Sequence, residues 1–276
     1  PQLAEQLQAQ AVFAGRDYEP MALQRDTAVE DTLAQAGRTF ITCKDHVVFE
    51  QREILTQTGT PYGVFTPYKN NWLARVDPQD LATHDVTPLA ARFSPRPKVF
   101  QLPVPQLKAL GFEATNLSQL KIPTGETGGQ SLLESFFERM DDYHATRDFP
   151  AVKAPSYLGV HLRFGTVSIR QLASLALRRQ AVGSQGAAVW LSELIWRDFY
   201  AAILANFPHV TACAFKPEYD EIQWEQGPGA QALFKAWCEA KTGYPLVDAA
   251  MMQLNQTGYM HNRLRMVAGS FLVKDL

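Results

Sequence analysis

The chain has 276 residues, 46% of them apolar and 20% charged, with a formal net charge of −2. At about 150 residues per domain this is two domains' worth of chain, and the composition excludes a disordered chain, a collagen-like repeat and a highly charged tail. No apolar run approaches the roughly 20 residues of a membrane-spanning helix and no secretion signal opens the chain, which predicts a soluble protein. Leu3–Gln10 reads as a polar helix, and Ala11-Val12-Phe13-Ala14-Gly15 as a short buried strand ending at a glycine. Asp26–Ala36 has helical spacing at Val29, Leu33 and Ala36, with Gly37 as the C-cap. Thr39-Phe40-Ile41-Thr42-Cys43 is β-branched and aromatic and predicts a second strand. Strand, helix and strand make one crossover unit of a parallel sheet. Two strands do not make a stable open sheet, so the chain is expected to begin inside a domain.

Residues 77–130 carry seven prolines and then Thr124-Gly125-Glu126-Thr127-Gly128-Gly129, which predicts an extended connection wrapped on the surface. From Gln130 onward apolar residues recur three and four apart: Leu132-Leu133-Phe136-Phe137-Met140, Leu172-Leu175-Ala176, Val189–Leu204, Ala230–Ala240 and Pro245–Leu254. The C-terminal half is expected to be all helical. The last residues, Phe271–Leu276, continue a helical pattern without a cap, as if cut within an element.

Cys43, Cys213 and Cys238 are odd in number and widely spaced, which argues against a disulfide framework or a zinc site and for a reducing compartment. Five Trp, sixteen Phe and nine Tyr suit either a large aromatic core or stacking on a flat ligand. Charge is unevenly distributed. Residues 1–60 hold five basic against nine acidic residues, and residues 143–180 hold six basic against one acidic, Asp148. A basic face for a polyanion and a solvated helix surface both account for the second stretch.

Three segments carry candidate chemistry. In Trp190–Tyr200, the residues Glu193, Trp196, Arg197 and Tyr200 fall on one helix face; a simple amphipathic helix with a Glu193–Arg197 pair is the plainer reading. In Tyr259–Met266, His261, Asn262 and Arg265 gather donors suited to carboxylates, phosphates or a heterocycle edge, and no second His or Cys at ligand spacing supports a metal. Pro155-Ser156-Tyr157-Leu158-Gly159 precedes a helix and could present backbone N–H groups to a phosphate, or simply start that helix.

Trp190–Tyr200, Lys241–Met251, Met260–Met266, Gly63–Lys69 and Arg147–Pro150 together resemble the DNA photolyase/cryptochrome family, in order and over essentially the whole chain. The resemblance is nearest to class I cyclobutane pyrimidine dimer photolyases. It implies an α/β plus all-α fold: a partial Rossmann-like antenna domain (1–76), a long linker (77–130) and a helical FAD-binding domain (131–276), with both family ends absent. It implies FAD, reduced when active, contacted by Tyr143, Pro155, Ser156, Tyr157, Leu158, Gly159, Trp190 and Arg265. Pro155 and Gly159 replace two hydroxyl residues of the family's usual pattern. Glu193, Trp196 and Asn262 match positions that meet the flipped dimer, whose extrusion costs less than that of a paired base. Excited FAD would give the dimer one electron and recover it after the ring splits. Arg147, Arg197, Tyr200 and Arg263 match DNA-contacting positions, the arginines on phosphates. Trp224 matches the outer tryptophan of an electron-transfer chain. A reduced-folate antenna is unsupported, because Met21-Ala22 stands where folate-binding members carry Asn-Glu; a deazaflavin, a flavin or no antenna remain open.

The implied activity is light-driven dimer repair, a carbon–carbon lyase reaction. Its partner would be DNA containing pyrimidine dimers, with no membrane or metal, the protein a cytoplasmic monomer at work on the nucleoid. The rivals are (6-4) photolyase, which carries paired histidines where this chain has His261-Asn262, and a cryptochrome photoreceptor without repair.

Overall fold

In the computed structural model, which describes residues 1–276 apart from the side chains of 117 and 118, the helix α1 (Gln2–Gln6) leads into strand β1 (Ala11–Gly15). Helix α2 (Pro20–Gln35) then crosses to β2 (Thr39–Cys43), and the strands pair in parallel with Ala11 opposite Thr39 and Gly15 opposite Cys43. α2 begins at Pro20 rather than Asp26. Its surface is mostly exposed, so apolar spacing does not mark its first turns, while a proline at the first helical position suits the preset φ of that site. The chain is mostly helical, with this small parallel sheet.

Residues Pro1–Ala82, Gly125–Arg147 and Val152–Trp224 form one compact unit. Besides α1, α2 and the sheet it contains α3 (Phe65–Arg75), α4 (Gly125–Phe137), α5 (Tyr143–Thr146), α6 (Gly159–Phe164), α7 (Ile169–Ala181) and α8 (Gln185–Asn206). The start of α4 departs from the expected surface connection. Gly128 and Gly129 are buried inside the helix, and a Cβ on Gly129 would stand 2.7 Å from Val167 and 2.9 Å from His161. Close packing, not chain reversal, requires glycine there. Ser168 and Ser184 cap α7 and α8, each hydroxyl accepting from a backbone N–H three residues on. Small residues on α7, Ala173 and Ala176, let it approach α8, where Ala187, Trp190, Leu191 and Leu194 join Phe136 and Met140 in the core.

The second unit comprises Thr83–Thr124, Asp148–Ala151 and Glu225–Leu276. The described residues of 83–124 are largely exposed and carry short 3-10 turns. The regular part is α9 (Gly227–Cys238), α10 (Pro245–Thr257) and α11 (Asn262–Asp275). Val247, Ala250 and Met251 of α10 meet Met260, Leu264 and Ala268, and the Trp237 indole donates to the Ala268 carbonyl at 3.0 Å. Asp248 accepts from the Thr242 N–H and hydroxyl and from the Gly243 N–H, closing the turn ahead of Pro245. These hydrogen bonds, that of the Thr242 hydroxyl first, hold its carboxyl below the usual range against the opposing effect of desolvation. Gly258, at φ +70°, ends α10 in the left-handed conformation that glycine adopts without cost.

Candidate functional site

α8 carries the candidate site of the first unit. Glu193, Trp196 and Tyr200 share one stripe, as a helical repeat dictates, and are partly buried, partly buried and 62% exposed in turn. The local Glu193–Arg197 pair is not what the stripe uses. Glu193 Oε1 accepts from Arg147 Nη1 at 2.6 Å, and the Arg147 guanidinium lies 5.3 Å over the Tyr143 ring. Arg147 follows α5 directly, so a partner 46 residues away displaces the neighbour one turn on. Trp196 is flanked by rings: Phe65 lies 3.6 Å from it at an interplanar angle of 9°, and Tyr200 stands 5.4 Å away at 24°.

Arg197, expected on a phosphate, has a different task. Its guanidinium donates to the backbone carbonyls of His46 and, at 3.5 Å, Leu162. Its neighbour Asp198, which the sequence reading did not single out, completes the same work. Asp198 Oδ2 accepts from the backbone N–H groups of Val48 (3.0 Å) and Phe49 (3.1 Å) and from the Trp72 indole (3.1 Å). Arg170 adds bonds to the carbonyls of Asp45 and Val47. The loop after β2 thus has its backbone satisfied by side chains of α7 and α8. Burial pushes the Asp198 carboxyl up to about 6, against the pull of its three donors and of Arg197. The available signal was an aspartate inside the apolar run Leu194, Ile195, Phe199.

The residues of this unit expected at the flavin occupy varied positions. Tyr143 is partly buried and meets Phe136 edge-on at 5.8 Å. Trp190 is only 3% exposed and packs on Phe136 at 4.8 Å, so it sits within the core. Ser156 Oγ accepts from the Leu158 N–H at 3.4 Å, Tyr157 adopts φ +59°, and Leu158 is buried. The Cβ direction of Gly159 is open for 4 Å, which leaves the backbone of this turn approachable. The Pro155 carbonyl is taken by Arg139 at 2.8 Å. Ser156, Tyr143 and this accessible turn are a donor set suited to a phosphate-bearing ligand. Trp224 lies at the surface, 54% exposed. Met21, which the resemblance places at the antenna, is exposed on α2.

Asn262, Arg263 and Arg265 belong to the second unit. The buried His261 caps α11, its Nδ1 accepting from the Arg263 N–H at 3.1 Å. Asn262 Oδ1 accepts from Arg265 Nη2 at 3.2 Å, both side chains exposed at the helix start. Arg263 pairs with Asp148 at 2.6 Å and borders a groove of about 560 Å³ shared with Tyr244, Leu246, Met266 and Phe271. A second, polar cleft of similar volume in the first unit is lined by Glu126, Gln130, Glu134 and Gln171, away from the predicted residues. Among the described residues no three His, Cys, Asp or Glu side chains gather as a metal would need, and no helix is long and apolar enough to cross a membrane.

Residues 1–90 match the family model described as DNA photolyase, and residues 190–276 match that of the FAD binding domain of DNA photolyase. The deoxyribodipyrimidine photo-lyase of a Synechococcus species is 38% identical over all of this chain and 58% of its own length. That of Escherichia coli is 36% identical, over 96% of this chain and 54% of its own. The chain therefore spans a little over half the length of these relatives. Among solved structures, a bacterial class III photolyase from Agrobacterium tumefaciens superposes with a TM-score of 0.85 at 30% identity, over 100% of this chain and 56% of that one. A Synechocystis cryptochrome shares the fold, with a TM-score of 0.79 at 23% identity over 99% of this chain and 57% of that one.

Proposed function

Because the chain belongs to the DNA photolyase/cryptochrome family, we propose that the protein repairs cyclobutane pyrimidine dimers in DNA in a light-driven lyase reaction. The observation that carries this reading is the outer stripe of α8: a carboxylate braced at 2.6 Å by an arginine, one turn from a tryptophan with a ring stacked on it. A dimer is poorly paired and cheap to extrude, by comparison with a normal base. Trp196 gives it an apolar wall. Glu193 hydrogen-bonds its polar edge, with Arg147 holding Oε1 so that the carboxylate is oriented before the lesion arrives. Asn262, in the second unit, is assigned a lesion contact by the family resemblance alone. Arg147 and Arg263 address backbone phosphates, which fix position without reading sequence. Tyr200 extends the contact surface, and Arg197 serves by holding the loop after β2.

In the first unit the residues at the flavin positions suit FAD: Tyr143, Ser156 and the backbone of 157–159 as donors, and Trp190 and Leu158 as apolar support from within the core; Arg265, in the second unit, is assigned to the flavin by the resemblance alone. FAD bound there, reduced and excited, would lend the dimer one electron and take it back after the ring splits, with no net redox change. Trp224, at the surface, is assigned the outer end of a path for reducing the flavin. The same reading takes 1–76 as part of the antenna domain, 77–130 as linker and 131–276 as flavin-domain sequence, and makes the protein a cytoplasmic monomer.

The test is light-dependent repair of a thymine dimer by the full-length protein, after an absorption spectrum. Flavin absorbance with light-dependent repair is expected, and Glu193→Ala should lower the quantum yield while leaving that absorbance intact. An unchanged yield removes Glu193 from its role. Bound flavin with no repair turns the reading to a photoreceptor.

A further inference from the structure

The segment Gly63–Lys69 has no task in the reading above. It opens α3, and Phe65, the first residue of that helix, lies flat on the Trp196 indole, 3.6 Å between centroids and 9° from parallel. Phe199 meets both rings nearly edge-on, at 5.8 and 5.6 Å. Behind it Tyr68 of the same helix is buried and 5.3 Å from Phe199. A face-to-face stack this close to coaxial is not the arrangement isolated aromatic pairs favour. Here the flanking rings hold it. The indole cannot rotate without driving into Phe65 or Phe199, and the face under Phe65 is closed to any base.

We propose that Phe65 is a positioning residue for lesion recognition: it fixes the plane of Trp196 and closes one face of the indole. The inference rests on the reading that Trp196 receives the extruded dimer. A one-faced indole acts as a wall for a base that has left the helix. It cannot act as a wedge between stacked bases, because a wedge needs both faces. Tyr200, stacked with the indole at 5.4 Å and 24°, is largely exposed and carries the aromatic series out to solvent. Selectivity for damaged over undamaged DNA then depends on Phe65, while phosphate contacts, common to both, do not.

The experiment measures affinity for a thymine-dimer duplex and for the same duplex undamaged, at one fixed salt concentration, with the full-length protein and its Phe65→Leu, Phe65→Tyr and Trp196→Ala variants. Trp196→Ala should lower the damaged-to-undamaged ratio by about tenfold or more, the usual scale of base–aromatic stacking. Phe65→Leu should lower it by about two- to tenfold, the scale of an aromatic pair. Phe65→Tyr should restore it, and affinity for undamaged DNA should hold in the Phe65 variants. In a Trp196→Ala background, Phe65→Leu should change the ratio no further. If the leucine variant does not fold, Phe65→Met keeps the volume without the flat ring and reads the same ratio. A ratio that falls with Trp196→Ala and stays constant with Phe65→Leu overturns this inference and leaves the proposed function standing. Equal loss of both affinities with Phe65→Leu overturns it too, as a general structural effect. A ratio that Trp196→Ala does not move sinks both.

Discussion

Asp198 and Glu193 are carboxylates five residues apart on α8, and they differ in everything but chemistry. Asp198 is enclosed, with three N–H donors on one oxygen and none of them local: the partners lie 126 to 150 residues away in sequence. Glu193 is partly exposed, and its Oε1 takes one arginine across a surface pair. Around Asp198 the polar groups serve the fold, fastening the loop after β2 to the helix that carries the candidate site. Around Glu193 they stay within reach of a ligand. Burial separates the two regions: the same functional group fixes structure in the first and remains open to chemistry in the second.

The comparison breaks first at Asp198. Asp198→Ala strands two backbone N–H groups and an indole N–H in the core, and should cost about 3–5 kcal/mol in denaturant unfolding of the protein. A loss below about 1 kcal/mol would show that the inner network does not hold the loop. Asp198→Asn keeps an acceptor and should cost far less, about 1 kcal/mol. It should also change the pH dependence. The carboxyl sits at about 6 when folded, above its ordinary 3.8, so the folded state holds the extra proton between those values. Stability from this group is therefore fully present below pH 4 and falls as pH rises to about 6, by on the order of 3 kcal/mol. The asparagine variant should lack that fall. Unfolding curves for the two proteins at pH 4, 5, 6 and 7 compare them, and parallel curves count against a buried, proton-binding Asp198.

The inner region is also where the sequence was least legible. The outer stripe followed from helical spacing alone: Glu193, Trp196 and Tyr200 fall together because the residues are three and four apart. The parallel pair β1 and β2 was legible because β-branched and aromatic runs bracket a helical segment. Asp198 was not, because its donors come from the loop after β2 and from α3, which no local pattern connects to α8. Gly129 misled for a related reason. Two glycines after a proline-rich stretch read as loop, and only the neighbours Val167 and His161 explain why a helix needs them. The Glu193–Arg197 pair obeyed a sound local rule and lost to Arg147, since α5 brings a cation that spacing along α8 cannot reveal.

The smallest expected effect on stability sharpens the comparison from the outer side. Arg147 and Glu193 keep 21% and 30% of their side-chain surface in solvent, so the pair is screened and carries the entropy cost of two long side chains. Arg147→Ala should lower unfolding stability by about 1 kcal/mol or less, several times less than Asp198→Ala. Its main effects should appear with DNA. Under the proposed function, loss of one phosphate contact should make the slope of log affinity against log salt shallower by about one unit, and loss of the brace on Glu193 should lower repair yield. An unchanged slope with a lowered yield would assign Arg147 wholly to Glu193, and both unchanged would remove it from the site. A stability loss as large as that of Asp198→Ala would mean that burial does not divide these two regions of α8, and that the outer carboxylate, too, is bound up in holding the fold.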